Sequence, residues 1–138
     1  MCEDAATFLQ KSGTSYVNGG GARSASDKVL QHNGGGTLAV KNFLASDIGK
    51  LYRSCGNCKT QYARHSTFTN VKIMGSAKVL AGVNENLGDT TVIKNSCVLK
   101  GDICQRFKGN SNGKEPTKIG SGASGTACVI SAVKTAGC

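Results

Sequence analysis

Four short runs, Tyr16-Val17-Asn18-Gly19, Val40-Lys41-Asn42-Phe43, Phe68-Thr69-Asn70-Val71 and Ile93-Lys94-Asn95-Ser96, each place an apolar residue two positions before an asparagine, and the asparagines are 24, 28 and 25 residues apart. A period of that length belongs to a solenoid, in which no single repeat can bury its own apolar face and neighbours must stack to do so. Within each unit a short alternating run, such as Thr37-Leu38-Ala39-Val40 or Thr91-Val92-Ile93, is followed by residues that favour turns, so the repeat unit is strand and turn rather than helix. The expected fold is therefore all-β, a right-handed single-stranded parallel β-helix. Its asparagines should form a ladder at the same bend of every coil. Gly19-Gly20-Gly21 and Gly34-Gly35-Gly36 fall between strand-like runs, where positive φ or close backbone approach is needed.

Composition fits thin stacked coils. With 19 Gly, one Pro, no Trp and 5% aromatics in 138 residues, the core must be built from small and branched aliphatic side chains. That length suits a single domain over 1–138. At the start, Ala5-Ala6-Thr7-Phe8-Leu9 is short enough to be helix or strand. Beyond Gly101 the periodicity fades into a polar, Gly-rich stretch with a turn at Asn110-Ser111-Asn112-Gly113 and a final strand near Ala127–Val133, so 102–138 reads as a terminal coil and cap, with a plain loop as the alternative.

Lys and Arg number 17 against 8 Asp and Glu, a net charge of +9, which attracts polyanions before any specific contact forms. Nucleic acid, an anionic membrane surface and an acidic polysaccharide all satisfy this. Seven Cys point to an oxidising compartment, and the odd count leaves one thiol without an internal mate. Yet Met1–Gly13 shows no basic flank and apolar run of signal-peptide type, and no apolar stretch is long enough to span a bilayer. Cys55-Gly56-Asn57-Cys58 has the spacing of a local disulfide or of a redox or zinc half-motif; no second such motif is present, which favours the disulfide. Cys104 with Cys128 and Cys97 with Cys138 are compatible further pairs, leaving Cys2, although spacing does not fix connectivity.

The chemistry-bearing residues concentrate between Ala22 and Arg53. Two segments there are alike: Ala25-Ser26-Asp27 precedes Lys28, and Ala45-Ser46-Asp47 precedes Lys50 and Arg53. One coil apart, Lys28 and Lys50 would lie one above the other with Arg53 beside them, while Asp27 and Asp47 orient their cationic neighbours. Lys28 read by itself is an ordinary solvated lysine, only about 1% neutral two pH units below a pKa of about 10.4. Glu3-Asp4, likewise, is either a solvated acidic pair or a pair of oxygen ligands for a hard cation.

Ala22-x-x-Ala25-x-Asp27-Lys28-x-x-Gln31, His32-Asn33-Gly34-Gly35 and Asp47-x-Gly49-Lys50-Leu51-Tyr52-Arg53-Ser54 resemble the signature of secreted pectate lyases of polysaccharide lyase family 3. Cys2-Glu3-Asp4-Ala5, Asn84-Glu85-Asn86-Leu87-Gly88-Asp89 and Gly113-Lys114-Glu115-Pro116-Thr117-Lys118-Ile119-Gly120 agree with it in the same order. The resemblance implies a secreted enzyme that cleaves α-1,4-linked polygalacturonate by β-elimination to unsaturated oligogalacturonates, with Ca²⁺ as cofactor. It places Glu3 and Asp4 on the calcium carboxylates, Lys28 on the base, and Lys50 and Arg53 on the substrate carboxylate, with Gln31 in the binding site. A further acidic ligand expected from an earlier coil has no counterpart. From this follows the expectation of a copy lacking its N-terminal coils, a monomer prone to end-to-end association and a poor enzyme by itself. The competing expectation is a non-catalytic basic solenoid that binds acidic cell-wall polysaccharide. Nucleic acid is disfavoured by the few aromatic platforms, 4 Phe and 3 Tyr. Membrane partners are not expected.

Overall fold

The computed structural model describes residues 4–138. Glu3 and Cys2, the second carboxylate of the acidic pair and the leftover cysteine, lie outside the described residues. The chain is an all-β parallel solenoid built from β1 (Asp4–Phe8), β2 (Thr14–His32), β3 (Thr37–Ser54), β4 (His65–Asn84), β5 (Thr90–Val98), β6 (Asp102–Lys108), β7 (Thr117–Ser121) and β8 (Val129–Lys134), with one 3₁₀ turn at Glu85–Leu87. β1, β2, β3, β4 and β5 pair in sequence order and β8 closes the path on β5, all in parallel. β4 is long enough to span two strands of the next coil: its first part pairs β5 and its last part pairs β6. Among the described strands only β7 runs antiparallel, as a hairpin on β6.

Strands of 18 to 20 residues must bend to close a coil, and they do so at residues with positive φ. Lys41, Thr69, Lys94 and Ser131 lie in register, so the next positions, Asn42, Asn70, Asn95 and Ala132, form one column, with φ between 51° and 57°. Asparagine tolerates this left-handed conformation better than most side chains. Asn70 Nδ2 donates to Asn42 Oδ1 at 2.7 Å, a rung of the expected ladder. Asn18 is not part of it: Asn18 pairs with Lys41, and Gly19, at φ 82°, takes the bend opposite Asn42. A glycine reaches that conformation without needing the amide, so the asparagine pattern slips by one residue in the first coil. In the second Gly triplet, a Cβ on Gly34 or Gly35 would collide with the backbone carbonyls of Gln10 or Lys11, so these glycines are required by close approach of consecutive coils.

The core runs along the solenoid axis as columns of like residues. Val17, Val40, Phe68, Ile93 and Ile130 occupy one row, and Leu30, Tyr52, Ala81 and Cys104 another, where the large Tyr52 ring sits between smaller neighbours. Val40, Phe68 and Ile93 are completely buried. Each such side chain contributes about 1.5–3 kcal/mol through burial, which offsets the modest local stability of single coils. Three disulfides, Cys55–Cys58, Cys97–Cys138 and Cys104–Cys128, join the partners that spacing allowed. The last two tie the C-terminal residues to β5 and β6. The turn at Asn110–Gly113 is held by Asn112 N donating to Asn110 Oδ1 at 3.1 Å and Lys114 N donating to Asn112 Oδ1 at 3.1 Å.

Candidate active site

Strand register decides which charges meet. Asp4 pairs with Lys28 and Lys28 with Lys50, so the three form a row across β1, β2 and β3. Three residues further along, Gln31 pairs with Arg53, and Arg53 with Gly82. Lys28, Gln31, Lys50 and Arg53 thereby line a single cleft of about 250 Å³ together with Asp27, Gly56, Asn57, Phe107, Glu115 and Pro116. Its far wall is non-repetitive. Residues 109–116 are drawn over the cleft by Asn110 N donating to Gly56 O at 2.8 Å, and by a reciprocal pair in which Gly109 N donates to Asn86 Oδ1 at 2.7 Å and Asn86 Nδ2 to Gly109 O at 2.9 Å.

The three cations differ in how they are held. Lys28 Nζ is ion-paired with Asp27 at 2.8 Å and with Asp4 at 3.6 Å. Lys50 faces no carboxylate at ion-pair distance among the described residues; burial, with the Arg53 charge second, pushes its pKa below the ordinary lysine value. Arg53 is only 7% exposed, and burial lowers its pKa to about 10. Its Nη1 donates to Ser54 O at 2.6 Å and Asn84 Oδ1 at 3.2 Å, and the guanidinium lies 4.1 Å from the centroid of the Phe107 ring. Gly82 leaves room for its stem, since a Cβ there would stand 2.9 Å from Arg53 Cδ.

Behind the cleft lies a second, fully buried arginine. Arg64 donates through Nε to Gly34 O, through Nη1 to Cys55 O, Ser54 Oγ and Gln61 Oε1, and through Nη2 to Asn33 O. Its backbone N donates to Asp89 Oδ1 at 2.9 Å, while Asn84 N donates to Asp89 Oδ2 at 2.8 Å. This network fixes the turn after Arg53. Arg64 and Phe107 carry no signal in the sequence; Asn84 begins the Asn84–Asp89 run that resembles the family, but its contact with Arg53 is recognised only once the coils are stacked. Asp47 departs from its expected part. It does not reach Lys50 but caps the next coil, its Oδ1 accepting from Ser76 N at 2.9 Å, which with the other bonds to Ser76 and Ser46 lowers its pKa.

Gln31 Oε1 and Asp4 Oδ1 are buried acceptors with no hydrogen-bond partner, and both belong to the rows that form the cleft. Asp4 Oδ1 meets the Lys28 ammonium at 3.6 Å, beyond hydrogen-bond reach, and as an anionic oxygen it also fits a hard cation, which takes oxygen ligands. Among the described residues no group of three or more His, Cys, Asp or Glu is assembled for a metal. Asp4 is thus the described residue that suits calcium, beside Glu3 in sequence.

The model of the pectate lyase family matches residues 1–114. The chain belongs to the pectate lyase family. It is 48% identical over 126 residues to "Probable pectate lyase D" of Aspergillus fumigatus, covering 90% of this chain and 52% of that protein. With the Emericella nidulans protein of the same name the identity is 46% over 127 residues, covering 90% and 48%. The chain therefore spans about half the length of the curated relatives it matches. Its fold superposes on the catalytic domain of pectate lyase PelI from Erwinia chrysanthemi with a TM-score of 0.85 at 36% identity, covering 97% of this chain and 67% of that one. PelI in complex with tetragalacturonic acid is matched with a TM-score of 0.83, again at 36% identity, over 96% of this chain and 49% of that one.

Proposed function

We propose that the cleft is the active site of a secreted, calcium-dependent pectate lyase that cleaves α-1,4-linked polygalacturonate by β-elimination. The observation that carries this reading is the row of Lys28 and Lys50 with Arg53 beside it, three cations facing a cleft in which Gln31 Oε1 is a buried acceptor without a hydrogen-bond partner. A uronate substrate supplies what that arrangement lacks: a carboxylate for the cations and hydroxyl donors for Gln31 Oε1. Relatedness to PelI, whose complex with tetragalacturonic acid is known, supports the same substrate class.

In the reaction, Lys28 as a neutral amine takes the proton from C5 of the galacturonate. The electron pair of that C–H bond becomes the C4=C5 double bond as the C4–O bond breaks, and the leaving oxygen takes a proton from solvent to become the new chain end, while the Lys28 ammonium later returns its proton to solvent; no water is added across the bond. Lys50 and Arg53 hold the C6 carboxylate on which negative charge accumulates. Partial burial of both lets them do so more strongly than in water. Calcium, held by Asp4 with Glu3, would add Lewis-acid neutralisation of the same carboxylate. The lowered pKa of Lys50 supports a second assignment, in which Lys50 takes the proton and Lys28 binds.

Incubation with polygalacturonate and calcium, followed by ultraviolet absorbance of the unsaturated product, tests the activity. Product formation that stops with chelator is the expected result. Retention on immobilised pectate without product would establish instead a non-catalytic binder of acidic polysaccharide. Lys28→Ala and Lys50→Ala then separate the two assignments, because loss of the base removes turnover while loss of a binding cation raises KM.

A further inference from the structure

Asn84 stands at the end of β4 with no exposed surface. Its amide uses both faces: Oδ1 accepts from Arg53 Nη1 at 3.2 Å, and Nδ2 donates to Cys55 O at 2.8 Å and Ser54 Oγ at 3.2 Å. Those last two acceptors belong to the two residues that follow Arg53 in the chain and also receive Arg64 Nη1. The amide is thus fixed from behind before it meets the guanidinium. Gly109 completes the cradle, for a Cβ there would lie 2.8 Å from Asn84 Cγ and 2.9 Å from its Oδ1.

The partners that orient Arg53 are all neutral: the Ser54 carbonyl, the Asn84 amide oxygen and the Phe107 ring. No carboxylate of the described residues lies within ion-pair distance of Arg53, although Asp89 accepts from the Asn84 backbone. An aspartate in place of Asn84 would accept the same hydrogen bond but neutralise the guanidinium, and it would have no donor for Cys55 O. The asparagine alone meets both demands.

We propose that Asn84 is the positioning residue for Arg53, holding the guanidinium in place with an uncharged acceptor so that its charge is left for the carboxylate of a uronate substrate. This rests on the reading of the cleft as a polygalacturonate site.

The test compares wild type with Asn84→Asp and Gly109→Ala, the second pressing on the amide without changing its chemistry. Three readouts are taken: KM and kcat on polygalacturonate, thermal unfolding, and the ¹⁵N resonance of the Arg53 guanidinium, assigned with Arg53→Lys, during titration with galacturonate, which has no glycosidic bond to cleave. Asn84→Asp should raise KM and weaken galacturonate binding by about ten- to a hundredfold while its Arg53 resonance stays that of a held guanidinium. Gly109→Ala should free the guanidinium, seen as faster rotation about the Nε–Cζ bond, and raise KM. A merely structural role would lower the unfolding temperature of both variants and leave galacturonate binding and the Arg53 resonance of the folded protein as in wild type; that result overturns the proposal. Should Asn84→Asp not fold, Gly109→Ala decides by the same readouts. If wild type neither cleaves polygalacturonate nor binds galacturonate, the functional reading of the cleft fails. In that case an Arg53 resonance unchanged in Gly109→Ala overturns the positioning role too, while a changed one upholds it without the substrate.

Discussion

Removing the guanidinium of Arg64 should destabilise the solenoid through the region behind the cleft. In Arg64→Met the stem is replaced by an apolar chain of similar length, so packing is largely kept and the loss is polar. Cys55 O keeps Gln61 Nε2 and Asn84 Nδ2 as donors, both at 2.8 Å, and is not orphaned. Asn33 O and Gly34 O, by contrast, have no other donor among the described residues. Leaving each buried and unpaired costs about 1–3 kcal/mol. The buried Asp89 carboxylate also loses a cationic neighbour, while removal of a charge that burial disfavours offsets part of the sum. The expected net loss is about 3–5 kcal/mol, a large share of the stability of a chain this size. Urea unfolding, with the midpoint falling and the slope unchanged, measures it. Arg64→Lys, with three donors on one atom, should lose roughly half as much. A loss below about 1 kcal/mol in Arg64→Met would show that water satisfies those carbonyls, and the assignment of Arg64 as the clamp of the post-Arg53 turn would be wrong.

Three further outcomes follow from the geometry. Lys28→Ala should lower kcat at least about a hundredfold with unchanged thermal unfolding, and full turnover in that variant would remove Lys28 from the reaction. His32 is buried and neutral, its Nδ1 2.8 Å from Tyr52 Oη and its Nε2 2.9 Å from Gly35 O; burial holds its pKa below 6.5, so stability present above 6.5 should be lost as pH falls from 6.5 toward the folded value, at up to about 1.4 kcal/mol per pH unit, a slope measurable by urea unfolding and absent in His32→Gln. Gly82→Ala should displace the Arg53 stem and raise KM severalfold with little change in unfolding temperature, because its backbone is not in the left-handed region; an unchanged KM would show that Arg53 accommodates the methyl group.

What could be read from the sequence was whatever repeats. The period fixes parallel coils, and coils in register bring Lys28 beside Lys50, as the pairing of β2 with β3 shows. The first bend escaped because glycine and asparagine serve the same φ, so a pattern of asparagine side chains selected Asn18 where the backbone needed Gly19. The cleft wall escaped for a different reason. Phe107 lies in β6, and Glu115 and Pro116 in the segment leading to β7; the last two fall in a run that resembles the family, but nothing periodic relates any of the three to Arg53. Arg64 carries no motif, and Asn84, although it heads the resembling run Asn84–Asp89, has a role that lies in burial against Arg53, which a sequence position does not reveal.

In-register stacking also explains why the site needs that non-repetitive wall. Parallel neighbours stand about 4.8 Å apart, so a column of like side chains makes a core when they are Val40, Phe68 and Ile93. The same spacing applied to Lys28 and Lys50 creates repulsion, and the Arg53 charge beside them adds to it. The first coil answers with anions, Asp4 and Asp27, on Lys28. On the proposed reading of the cleft, an equivalent carboxylate on Lys50 or Arg53 would cancel the charge that a uronate must meet. The later coils answer instead with neutral groups, the Phe107 face and the Asn84 amide, which hold the cations without neutralising them. On the same reading, the repulsion that remains after the attraction of Asp27 on Lys50 and of Asp89 and Glu115 on Arg53 would be relieved when an anionic substrate enters, so that stacking the cations would contribute binding energy for the carboxylate.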